Sequence, residues 1–163
     1  MNSDSPTDRS SLILLGLGAA GVTPSESNTE RFLSFLEAIK SPHRVCMIVA
    51  GVSQALHDRL VELASSRRHR FHVDIPSEGR TRVQAAKLMI VPSSMTALVN
   101  TDNTVRIVEA LAGKGAVDSL FISLAEYYKT HAIGMLLQAN RTDVILGLRE
   151  ISARGGLSNF QKN

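Results

Sequence analysis

The chain has no tryptophan, two tyrosines and five phenylalanines, and aromatics make up 4% of it. A core must therefore be almost wholly aliphatic, and little is available for stacking on bases. One cysteine, Cys46, is present, so no disulfide can form within the chain. Set in an apolar run, it reads as a buried small hydrophobe of a reducing compartment and not as a catalytic thiol. No window approaches the ~18 consecutive apolar residues of a membrane-spanning helix. The opening MNSDSPTDRSS lacks the apolar core of a secretory signal; residues 1–11 are read as a disordered leader to a cytoplasmic domain. Net charge is only +3, too small an excess to indicate a nucleic-acid partner. There is no internal repeat and no low-complexity tract.

What remains is one soluble domain over residues 12–163, from a chain of 163 residues with 44% apolar and 20% charged content. Its organising stretch is Leu12–Gly21, where the apolar run Leu12–Leu15 meets Gly16, Gly18 and Gly21. This predicts a central strand, then a Gly-rich turn and a crevice at the strand's carboxyl end. Ser27 and Glu30 have capping-box spacing, and Phe32, Phe35, Leu36 and Ile39 then repeat at helical spacing until Ser41-Pro42. Val45–Val49 reads as a strand covered on both faces. Gly51 breaks it, and Ser53 can cap a helix carrying Leu56, Leu60, Leu63 and Ala64. Arg67, Arg68, His69 and Arg70 read as a solvated helix end, or else as a patch for an acidic partner.

Further along, Phe71–Ile75 and Leu88–Val91 read as strands, with turn chemistry at Pro76–Gly79. Thr96–Asn100 and Thr104–Val108 flank Thr101-Asp102-Asn103, the pattern of a hairpin, placed here at the edge of the main sheet. Asp118 can cap a helix bearing Leu120, Phe121, Leu124 and Tyr128. Ala132–Leu137 is another buried strand. Asp143 opens the last helix, with Ile145, Leu148 and Ile151 inward, and Arg154-Gly155-Gly156 ends it. The alternation implies a doubly wound α/β fold with a mainly parallel sheet and an antiparallel edge hairpin.

Gly16-Leu17-Gly18-Ala19-Ala20-Gly21 satisfies G-x-G-x-x-G, which raises a nucleotide or dinucleotide binder. That site needs a helix starting within the glycines and an acid after the second strand. Pro24 and the box at Ser27 postpone the helix, and Val49-Ala50-Gly51-Val52 offers no acid.

The order of segments resembles the catalytic domain of chemotaxis receptor methylesterases (protein-glutamate methylesterases of the CheB type). Gly16-Leu17-Gly18-Ala19-Ala20-Gly21-Val22-Thr23 stands where that family has G-x-G-A-S-A-G-G, and Ile48-Val49-Ala50-Gly51-Val52-Ser53 where it has V-V-Q-H-L-S. Leu88–Ser93 is similar to V-Y-V-I-P-P. The stretch Ala116–Ala125 is similar to P-x-D-x-L-F-x-S-L-A. Ala132–Leu148 is similar to A-I-G-x-x-L-x-G-x-G-x-D-G-x-x-G-L, and Gly155-Gly156 to the A-G-G that follows. The similarity runs from about Leu12 to Gln161.

The resemblance implies a hydrolase fold with a Ser-His-Asp triad and no cofactor or metal. The nucleophile's position falls on Ala20, the general base's on Gly51, and the orienting acid's on Asp143. Only Asp143 is kept, and without an imidazole to orient it has no catalytic task, although it makes a good helix cap. Gln138, Ala139, Asn140, Arg141 and Val144 replace most small residues of the turn around it. The domain is also expected to be shortened at its C-terminus. The implied function is a non-catalytic module for protein contact in a chemotaxis-like or two-component pathway. Its partners would be receptor, methyltransferase or kinase components. The alternative is an active methylesterase or ester hydrolase with a relocated nucleophile, drawn from Thr23, Ser25 or Ser53 with His43, His57 or His72 as base.

Overall fold

The computed structural model describes residues 12–66, 69–110, 115–137 and 145–160. Its frame is a parallel sheet of six strands, in the order β3-β5-β2-β1-β8-β9. The central strands are β1 (Ile13–Gly18), β2 (Val45–Ala50), β5 (Lys87–Ile90) and β8 (Ala132–Leu136), with β3 (His72–Asp74) and β9 (Leu157–Phe160) outside them. β1 lies between β2 and β8, with Leu15 opposite both Met47 and Ile133. Continuous apolar runs suit strands covered on both faces, and every residue of β2 is buried.

Helices and a second sheet supply the cover. Helices α1 (Glu26–Ala38) and α2 (Gln54–Ser66) cover one face. There Phe32, Leu33, Leu36, Leu56 and Leu60 pack with Leu15, Leu17, Met47 and Val49. Helices α3 (Ala116–Tyr128) and α4 (Ile145–Ala153) cover the other, where Leu120, Phe121, Leu124, Leu148 and Ile151 pack with Leu14, Cys46 and Ile48. The expected hairpin forms as β6 (Met95–Val99) and β7 (Thr104–Glu109). Instead of extending the main sheet, it joins β4 (Gly79–Arg82) in an antiparallel sheet of its own, ordered β4-β7-β6. The inward residues Ala97, Val99, Val105 and Ile107 share the α3 core. The Ser123 hydroxyl of α3 accepts the Val99 amide at 3.0 Å, satisfying a donor that β6 would otherwise leave unpaired.

Several local readings are corrected. β1 continues through Gly16 and Gly18, so those glycines belong to the strand and the turn is confined to Ala19–Gly21. Space is the reason: a Cβ at Gly16 would stand 2.7 Å from Leu124 Cδ1, and one at Gly18 would stand 2.5 Å from Val117 Cγ1. Their absence lets α3 approach the sheet closely. The cap of α1 is Ser25, not Ser27: its hydroxyl accepts the Asn28 amide at 3.2 Å. Asn28 reaches back through Nδ2, donating to the Thr23 carbonyl at 3.0 Å and hydroxyl at 3.2 Å, which ties the residues before the helix to its first turn. The cap of α3 is Gly115, which leaves Asp118 inside its first turn. β4 and β9 were not anticipated. The leader 1–11, the arginines at 67 and 68 and the turn 138–144 lie outside the described residues.

Candidate functional site

The carboxyl ends of β1 and β2 meet as expected. The Ala19 amide donates to the Ala50 carbonyl at 3.0 Å, and the Leu137 amide to the Gly18 carbonyl at 2.8 Å. These bonds carry the parallel pairing one residue past the strands. Ala20 and Gly51 are thereby neighbours: a Cβ on Gly51 would lie 3.4 Å from the Ala20 amide nitrogen and 3.7 Å from Ala20 Cβ. The two positions that the resemblance matches to nucleophile and base thus lie side by side. Asp143 lies outside the described residues.

Gly51 adopts φ +80°, a conformation side chains disfavour. The direction in which a side chain would leave it is occupied, since Val117 Cγ2 stands 2.5 Å from the Cβ position. Val117 is 1% exposed and also packs over Gly18. The first turn of α3 therefore occupies the space that a side chain at position 51 would enter. Sequence reading missed Val117, because a valine at a helix start carries no sign of what it faces.

Asp118 has a different task from the one expected of it. Its Oδ1 accepts the Gly147 amide of α4 at 2.7 Å. An acid of one helix thus serves the amino end of the next, where free amides and the helix dipole favour an anion. Gly147 leaves room for the bond: a Cβ there would lie 2.7 Å from Asp118 Oδ1 and 2.6 Å from Phe121 Cβ.

The hydroxyls considered for a relocated nucleophile are engaged in caps. Thr23 Oγ1 accepts from Asn28 Nδ2, and Ser25 Oγ from the Asn28 amide. Ser53 Oγ accepts the Leu56 amide at 3.1 Å, capping α2 as expected. His57 is buried on α2, its Nδ1 3.3 Å from Asp58 Oδ1 and its Nε2 without a hydrogen-bond partner among the described residues. His43 lies in the turn Pro42–Arg44 before β2, at the opposite end of the sheet from the crevice. His72 opens β3 and is exposed. A hydroxyl–imidazole contact does occur between Thr130 and His131 at 3.3 Å, but it is exposed and precedes β8, also at the amino ends of the strands. Burial pushes the Cys46 thiol up to about 11, and the residue sits near the amino end of β2. Among the described residues no group of three or more His, Cys, Asp or Glu is placed to hold a metal ion, and no helix is long and apolar enough to cross a membrane.

A parallel sheet covered on both faces, with a crevice after its central strands, places the chain among doubly wound α/β domains. The family model of the CheB methylesterases matches residues 20–163, and the chain belongs to that family. Among solved structures, it is similar to the CheB methylesterase catalytic domain of Thermotoga maritima. The TM-score is 0.66 at 16% identity, over 91% of this chain and 78% of that one. This likeness bears on the fold alone. Among curated proteins no match is found.

Proposed function

We propose that the chain is a non-catalytic member of the CheB methylesterase family, a domain for protein contact in a chemotaxis-like or two-component pathway. Hydrolysis through a Ser-His-Asp triad needs an oxygen nucleophile and an imidazole to take its proton. Ala20 supplies a methyl group and Gly51 no side chain. The observation that carries the reading is Gly51: its φ is +80°, and the space a side chain would enter is held by Val117. A crevice that had only lost two side chains would leave room for them. Family membership supports receptor, methyltransferase or kinase components as the proteins contacted.

Methanol release from a methylated receptor peptide tests the reading. The expected result is no turnover above the uncatalysed background. Turnover that disappears in Thr23→Ala, Ser25→Ala or Ser53→Ala would instead establish an esterase with a relocated nucleophile.

A further inference from the structure

The small antiparallel sheet has an outer face that the crevice does not use. Strand registers define it. Arg80 of β4 lies directly opposite Arg106 of β7, and Arg82 opposite Thr104. On the other side Arg106 faces Leu98 of β6, and Val108 faces Thr96. Side chains alternate across a sheet, so these residues share a face, whereas Val105 and Ile107 point into the core. Two guanidinium groups directly opposite one another repel. Asp102 Oδ2 lies 3.5 Å from Arg80 Nη1, and both side chains are more than half exposed (65% and 54%). Arg82 and Arg106 are exposed and have no ion pair among the described residues. Asp102 thus offsets part of the charge of Arg80, while Arg82 and Arg106 keep theirs.

Beside Arg106 lies an open cleft of about 370 Å³. Leu98 and Val108 form its apolar floor, Arg106 and Thr96 flank them, and Ala116 and Ser119 of α3 form the far wall. Glu109 also lines it, at the end of β7. Its carboxylate repels an anion there, so the basic end of the surface is the β4 end.

We propose that this face docks an acidic peptide segment of a partner protein. An apolar side chain of the segment enters the cleft over Leu98 and Val108. Neighbouring carboxylates lie across Arg80, Arg82 and Arg106, where the planar guanidinium can take a carboxylate oxygen on each of two N–H groups. Charge complementarity selects this occupant: bound carboxylates cancel the repulsion that the register imposes. The proposal rests on the reading of the chain as a protein-contact domain. The two fail separately, because turnover would remove that reading without touching this surface, and absent peptide binding would remove this proposal while leaving the lack of turnover in place.

The test uses the full chain and a fluorescein-labelled Glu-Glu-Leu-Glu-Glu peptide, followed by anisotropy. Saturable binding is expected, weakening as salt rises from about 0.05 to about 0.5 M because exposed charges are screened. R80E/R106E should bind at least about tenfold more weakly, while R59E, on α2, should bind as the parent does. Arg106→Gln keeps the assay decisive should the double variant not fold. It removes the like-charge pair, so the free chain should melt at a higher temperature while its affinity for the peptide falls. A residue with a purely structural role would not move the two in opposite directions. No binding at about 1 mM peptide, equal binding of the Lys-Lys-Leu-Lys-Lys counterpart, or undiminished binding by R106Q would overturn the proposal. Tighter binding of an oligothymidylate than of the peptide would also overturn it, in favour of nucleic acid.

Discussion

Gly51 and Val117 oppose a side chain at position 51 in two independent ways, by backbone conformation and by contact. Gly51→His should therefore cost about 2–6 kcal/mol, the sum of a left-handed non-glycine residue and an overpacked wall. Adding Val117→Ala should recover only the packing part, which a comparison of urea midpoints will show. Ala20→Ser with Gly51→His should stay near background in an ester assay, since the imidazole has no clear path toward position 20. Cys46 permits a prediction of opposite character. Burial raises its thiol from 9.0 to about 11. The unfolded thiol thus ionises first, and the stability this gives is complete below about pH 9 and is lost as pH climbs through 11. Between about pH 8 and pH 10 the parent's urea midpoint should fall more steeply than that of Cys46→Ala. The neighbourhood of positions 20 and 51 was legible in the sequence, because each follows a strongly apolar strand. Val117 was not, because its role depends on how close α3 comes.

At the scale of elements, the cap of α1 separates sequence pattern from realised bonding. Ser27 has the spacing of a box, but Ser25 makes the bond and Asn28 returns to Thr23. Ser25→Ala should lower stability by about 1 kcal/mol, while Ser27→Ala, inside the helix, should change it by only a few tenths of that. Thermal melts of the two variants decide the assignment; equal losses would refute it. Strands β1, β2, β5 and β8 could be read because each contains a largely apolar run close to a breaker. β4 and β9 escaped because Gly79-Arg80-Thr81-Arg82 and Leu157-Ser158-Asn159-Phe160 are short and largely polar, with no period to find. Gly16 and Gly18 misled for a related reason. Glycine marks a turn in most sequences, but here it marks the surface on which a helix rests.

Across the whole molecule, Lys87 joins the two sheets. It is 9% exposed on β5, and its Nζ donates at 2.9 Å both to Thr81 Oγ1 and to the Arg82 carbonyl of β4, with Asp74 Oδ2 at 3.5 Å. Lys87→Met fills the same space without the donors. It should cost about 2 kcal/mol and raise amide exchange in β4 more than in β1 or β2; uniform exchange would show that Lys87 does not hold the small sheet. Periodicity, caps and breakers in the chain determined the α/β class and the places of its most apolar strands, because these depend on contacts within one segment. The tertiary structure decided the rest. It set the hairpin in a separate sheet beside α3, turned Asp118 toward α4, closed the wall at Gly51 with Val117, and placed Arg80 opposite Arg106. Each of these depends on two segments meeting at a definite distance. That distance follows from the packing of the whole core, which no local pattern records.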